Sequence, residues 1–178
     1  MRPTAGVDRQ TAEDAPRTWP LPRDPHLPGR NPRPTDVNIS RIARSAPRPT
    51  KEKAWRENEA YQAGLRLYAC GYYWEAHEVW EPVWMNARPR SQERELVQGL
   101  IQLANAALKL KMSQAAAARR LAVIAHKHFR EARHGGAPVV MGVDLGAMIE
   151  ASGAFCERLK LSALPPTPAI PMTQEASP

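Results

Sequence analysis

A chain of 178 residues with 18 prolines, a mean hydropathy of -0.52 and a net charge of +7 is long enough for one domain with a real core, yet too polar and proline-rich for all of it to join that core. No apolar run approaches the roughly 20 residues of a membrane helix, and the first residues lack the charged-then-apolar order of a signal peptide. Cys70 and Cys156 stand at no metal or redox spacing, so a soluble, cytoplasmic protein with reduced thiols is expected and a disulfide scaffold is not.

The positive charge is unevenly placed. Residues 1–50 hold nine arginines against five acids, together with ten prolines. Such a segment buries too little apolar surface to offset its chain entropy, and is expected to be mostly unfolded. The same holds for residues 162–178, SALPPTPAIPMTQEASP. Within the first tail, HLPGRNPRPT at 26–35 is dense enough in proline to form a stiff extended strap that lies across the domain.

Between the tails, 51–161 reads as a helical domain. A first helix is predicted from about Lys53 to Ala69, with Trp55, Tyr61, Leu65 and Tyr68 near one face and a stop at Gly71. The second begins at Tyr73 or Trp74 and carries Ala76, Val79, Trp80, Val83 and Trp84 on one apolar face. Pro82 removes a backbone donor there and should kink or end it. A break at Asn86 to Arg90 follows, and Ser91 suits the next N-cap.

The third helix, about Gln92 to Met112, is apolar over most of its circumference and should be the central one. Its remaining stripe, Arg94, Gln98, Gln102, Asn105 and Lys109, spans about 80°. The stripe reads either as a solvated face or as a ladder of amides facing a pocket. Ser113 suits the cap of a fourth helix, whose face is Ala117, Leu121, Ile124, Ala125, His128 and Phe129. A histidine within such a face is expected to be hydrogen-bonded in the core. His26, His126 and His134 have no partner at ligand spacing. Arg119, Arg120, Lys127 and Arg130 make an opposite, basic face. It could grip phosphates, but no stacking aromatics or recognition motif accompany it, so nucleic acid is not the expected partner. After the loop HGGAPVVMGV, Asp144 caps a closing helix through about Leu159, packed by Leu145, Met148, Ile149, Phe155 and Leu159. The expected fold is a compact all-α bundle of about five helices.

GYYWEAHEVWEPVW, then ELVQGLIQLANAALKLK with QAAAARRL, and lastly MGVD before the closing helix resemble the bacterial and archaeal domain-of-unknown-function family 309. The resemblance covers about residues 55–160. HLPGRNPRPT is similar to the proline-rich segment that precedes this domain in some bacterial members. The family pattern H-E-x-x-E-x-x-W falls on His77, Glu78, Glu81 and Trp84, and Q-G-L-I-Q on Gln98, Gly99, Leu100, Ile101 and Gln102. What the resemblance implies is an all-helical fold; it supplies no activity. A weaker likeness exists to one tetratricopeptide hairpin, through Gly64, Gly71, Tyr73, Ala76 and Trp80, with no second copy at a period of about 34 residues.

His77 and Glu81 share a helix flank at the i, i+4 spacing of two metal ligands, with Glu78 between them as a base, but a third ligand must come from another helix. The plainer reading has His77 hydrogen-bonded to Glu81 or to Gln98 or Gln102 at the edge of the aromatic core. The sharper one is a cleft in which His77, Glu78, Glu81 and Trp84 face Gln98 and Gln102 and take a metal or a small polar ligand. The expected function is a helical binding or interaction domain that holds a peptide or a second copy of the chain. Trp80 or Trp84 partly exposed in a groove would favour it, and sealed tryptophans would argue against it. The alternatives are a hydrolase with a divalent metal on His77 and Glu81, and nucleic-acid binding through the basic face. No serine or cysteine nucleophile pattern and no glycine-rich phosphate loop competes.

Overall fold

Asn58 sets where the bundle begins. In the computed structural model, which describes residues 20–34, 39–161 and 164–173, the Asn58 side chain accepts the Tyr61 N–H at 3.0 Å and so caps helix α2, Glu59–Ala69. The helix is therefore shorter than the periodicity predicts. Glu52–Ala54 is a single 3-10 turn, and Trp55 meets Tyr61 edge-on at 6.3 Å from outside α2. Gly71, at φ 83°, ends α2. Its own N–H bonds to Tyr68 O and that of Tyr72 to Leu67 O, the paired bonds of a Schellman motif that needs a left-handed residue.

Helix α3 spans Tyr73–Asn86. It continues four residues past Pro82 and ends at Asn86; Pro82 has no N–H to offer Glu78 O. Helix α4, Gln92–Lys111, is capped by Ser91, which accepts the Arg94 N–H at 3.3 Å. It is the most deeply packed helix, with Leu96, Leu100, Leu103, Ala104 and Ala107 fully buried. Ser113 does not cap the next helix. It adopts φ 60° and closes α4, with bonds from Ser113 N to Leu110 O and from Gln114 N to Lys109 O. Helix α5, Ala115–His134, follows Gln114 with no side-chain cap.

The buried stripe of α5 is Ala118, Ala122, Ala125, Phe129 and Ala132, turned from the expected face, so that Ile124 is 42% exposed. Small residues let α5 lie close on α4, and that contact outweighs the larger but sparser apolar residues of the other face. His128 lies at the edge, its Nδ1 2.8 Å from Glu95 Oε2. Two short strands, β1 Val139–Val140 and β2 Val143–Asp144, pair antiparallel where a loop was expected. Met141 and Gly142 both take positive φ at the turn. Asp144 caps α6, Leu145–Leu161, accepting the Ala147 N–H at 3.0 Å. Consecutive helices from α2 to α6 pack side by side, giving an all-helical bundle with one minimal hairpin.

The flanking segments add to this frame. Within 1–50, residues Ile39–Arg44 form helix α1, which packs on α3 and buries Ile39 and Ile42; two apolar residues three apart suffice once a neighbouring surface exists. Residues 20–34 run across the start of α3; they are not the stiff extended strap expected, because Gly29 takes φ 78° and the Arg30 and Asn31 N–H groups turn back to Leu27 O, and 164–173 return over α2 and α3 without helix. The expectations for 1–19, 35–38, 162–163 and 174–178 lie outside the described residues.

Candidate functional site: the faces of helix α3

Five surfaces meet α3: α2, α4, α1 and the two flanking segments 20–34 and 164–173. Towards α2, Trp80 is sealed at 0% exposure and donates its indole N–H to Tyr61 O at 3.2 Å. It fits because Gly64 has no side chain; a Cβ at 64 would overlap the Trp80 indole. Towards α4, the half-buried Trp84 donates to Gln98 Oε1 at 3.0 Å. The Arg94 guanidinium stacks 4.5 Å from its ring centroid and bonds Trp84 O and Ala87 O at 2.9 and 3.1 Å. Arg94 thus completes the end of α3 while covering the indole.

Glu78 and Glu81 face elsewhere. They line a hollow of 390 Å³ against α1 and the segment after it, opposite Arg44 and Arg48. Glu78 and Trp84 are six residues apart, about 120° around the helix, so one neighbour cannot meet both. The expected cluster is accordingly divided: Trp84 and Gln98 come together, Glu78 and Glu81 share the hollow, and no hydrogen bond joins His77 to Gln98, Gln102 or Glu81. His77 and Gln102 are both half-buried. Among the described residues, no group of three or more His, Cys, Asp or Glu side chains is arranged to hold a metal ion, so His77 and Glu81 lack the third protein ligand a divalent metal would need. In the basic face, Arg119 donates to Leu159 O at the end of α6, at 2.7 Å; Arg120, Lys127 and Arg130 are exposed.

The residue that sequence reasoning passed over is Glu75. Its side chain is fully buried, under the strap of residues 20–34. Glu75 Oε1 accepts the backbone N–H of His26 at 2.8 Å, and Oε2 is buried without a hydrogen-bond partner. Glu75 occupies the third position of α3, where a glutamate commonly turns back onto the cap N–H. That N–H, on Tyr72, is already bonded to Leu67 O, which leaves Glu75 to receive the strap. Burial raises its pKa above the ordinary glutamate value; the His26 N–H and the Glu75 backbone N–H oppose the shift. The His26 ring packs edge-on against Trp74 at 4.6 Å, Arg33 lies over the same indole, 5.3 Å from its centroid, and the Tyr72 hydroxyl donates to Pro22 O at 2.8 Å. The strap is stapled internally by Asn31, which accepts from Leu27 N and donates to Pro25 O. The sequence signal was present in two halves: a third glutamate in the aromatic run, and a proline-rich strap with one histidine.

The remaining tyrosines of the hairpin hold the other flanking segment. Tyr68 donates to Pro168 O at 2.9 Å, and the Tyr73 and Thr167 hydroxyls are 3.0 Å apart. Burial of Tyr68 places its hydroxyl pKa far above the ordinary phenol value, so it serves as a neutral donor.

The family model described as "Domain of unknown function (DUF309)" matches residues 61–121. That stretch runs from the first turn of α2 into α5 and contains both motifs, so the match supports the resemblance carried by H-E-x-x-E-x-x-W and Q-G-L-I-Q. No curated protein matches the chain. Among the described residues, no helix is long and apolar enough to cross a membrane.

Proposed function

We propose that the chain is an interaction domain whose α2–α3 hairpin receives proline-containing polypeptide. One observation carries this reading. Two segments of the chain, far apart in sequence, lie without helix on the same hairpin, and in each a proline carbonyl accepts a tyrosine hydroxyl: Pro22 from Tyr72 and Pro168 from Tyr68. Aromatic surfaces that present hydroxyl donors are a general means of holding proline-rich chains, whose stiffness lowers the entropy lost on docking. The sealed Trp80 takes no part, and Trp84 is spent on Arg94 and Gln98; Trp74 and the tyrosines supply the aromatic surface instead.

The hydrolase reading has less support, since His77 and Glu81 find no third ligand among the described residues. Nucleic-acid binding is weakened by the engagement of Arg119 with α6.

The reading is tested with the full chain carrying His26→Ala and Asn31→Ala, which loosens the strap, and a fluorescein-labelled peptide of residues 20–34. Saturable binding to the variant, at least tenfold tighter than to the unaltered chain, is expected. A variant with unchanged helical circular dichroism that binds neither this peptide nor any of a panel of proline-rich peptides overturns the proposal.

A further inference from the structure

The segment after α6 lies on the bundle as a ligand would. Its far end is anchored: Met172 bridges Val143 antiparallel, Asp144 N–H donates to Pro171 O at 3.0 Å and Thr173 N–H to Gly142 O at 2.8 Å. Upstream of that anchor, residues 165–170 pair with no strand and form no helix. Pro165 and Pro168 are buried while Pro166 between them is exposed. A polyproline helix has three residues per turn, so prolines three apart form one of its faces. That conformation makes no internal hydrogen bonds, and its carbonyls need donors from the surface beneath. Tyr68 supplies one to Pro168, and Tyr73 engages Thr167 beside it.

The seat is incompletely filled. A hollow of 340 Å³ lies between this segment and Leu65, Tyr68, Ala69 and Tyr73. Another, of 530 Å³, lies between it and Tyr73, Ala107, Leu110 and Lys111. Both hollows border this one segment, bounded on the other side by the hairpin or the end of α4, and leave room beside it for a bulkier chain.

We propose that the groove formed by α2, α3 and the end of α4 docks a proline-rich segment of another protein, one that presents two prolines three residues apart, and that residues 164–173 occupy it in cis as a competing plug. The proposal rests on the interaction-domain reading and adds the ligand pattern, the second seat and its self-occupancy. A short tether holds the plug at an effective concentration on the order of millimolar, so a ligand of moderate affinity is masked until the plug is weakened. The ligand's two prolines take the places of Pro165 and Pro168, and a carbonyl takes the Tyr68 hydroxyl.

The test uses the full chain with Pro165→Ser and Pro168→Ser, probed by anisotropy with a labelled peptide of residues 164–173. Binding at least tenfold tighter than to the unaltered chain is expected, with a loss of about tenfold when Tyr68→Phe and Tyr73→Phe are added, since two neutral hydrogen bonds go while the rings stay. A second measurement needs no plug variant: millimolar peptide added to the unaltered chain should speed hydrogen exchange at the Thr173 amide. The proposal is overturned if the peptide neither binds nor speeds exchange, if a peptide with its prolines respaced binds equally well, or if the tyrosine substitutions change nothing. It is also overturned if the unaltered chain is a dimer that Tyr68→Phe with Tyr73→Phe dissociates, which would assign the groove to a second copy. Failure here while the 20–34 peptide still binds removes only this proposal; failure of both peptides removes the interaction reading as well.

Discussion

The backbone N–H of His26 donates to Glu75 Oε1 across 2.8 Å, joining the N-terminal strap to the first turn of α3 through a carboxylate that water does not reach. The other oxygen, Oε2, is buried and unpartnered. A buried acid with only part of its bonding capacity met favours its protonated form.

Stability should therefore depend on pH through Glu75. Its pKa is raised in the folded chain, chiefly by burial. A raised folded-state value makes the contribution fully present below the ordinary glutamate pKa and progressively lost as pH rises through the folded value. The difference in Tm between the unaltered chain and Glu75→Gln should accordingly be most favourable to glutamate in acid, and should shrink or reverse towards neutral pH. A difference that stays constant across that range would show that Glu75 does not titrate as its burial requires.

Gly64→Ala should be costly because the new methyl group meets the Trp80 indole. Overpacking of this kind costs about 2 kcal/mol, or roughly 4–8 °C in Tm for a chain of this size. Thermal melts of Gly64→Ala alone, Trp80→Phe alone and the pair should show the double change costing less than the sum. Strict additivity would mean the two positions are not in contact.

Trp84 and Gln98 should be coupled. A cycle built from Trp84→Phe and Gln98→Ala should give an interaction of about 1 kcal/mol, the usual worth of one partly buried neutral hydrogen bond. Denaturant titrations measure it, and a coupling near zero would mean the 3.0 Å bond contributes nothing in solution.

Glu78 and Glu81 line the hollow beside Arg44 and Arg48, and no side-chain hydrogen bond joins either to another of the described residues. Glu78→Gln and Glu81→Gln should each shift stability by less than about 0.5 kcal/mol, the usual range for surface changes that break no specific interaction. A loss above about 1 kcal/mol in urea unfolding would reveal a structural duty that the geometry does not contain.

The all-helical class and the order of α2 to α6 were legible in the residues alone, as were the turn at Gly71, the caps at Ser91 and Asp144 and the central place of α4. These follow from local chemistry, namely helical periodicity, a left-handed glycine and side chains that satisfy nearby N–H groups. The short α2 and the closing of α4 at Ser113 were harder to see, because Asn58 and Ser113 are each compatible with more than one local role. How the α3 motif is shared out was settled by packing between elements. A helix wheel shows which residues point together but not which neighbour they meet, so Glu78 could go to α1 while Trp84 went to α4. The buried state of Glu75 depended on a strap 49 residues away in the chain, and the two proline seats on contacts of 50 and 100 residues. No local pattern encodes pairings at that range, since they exist only once the hairpin has formed a surface on which a flanking segment can lie.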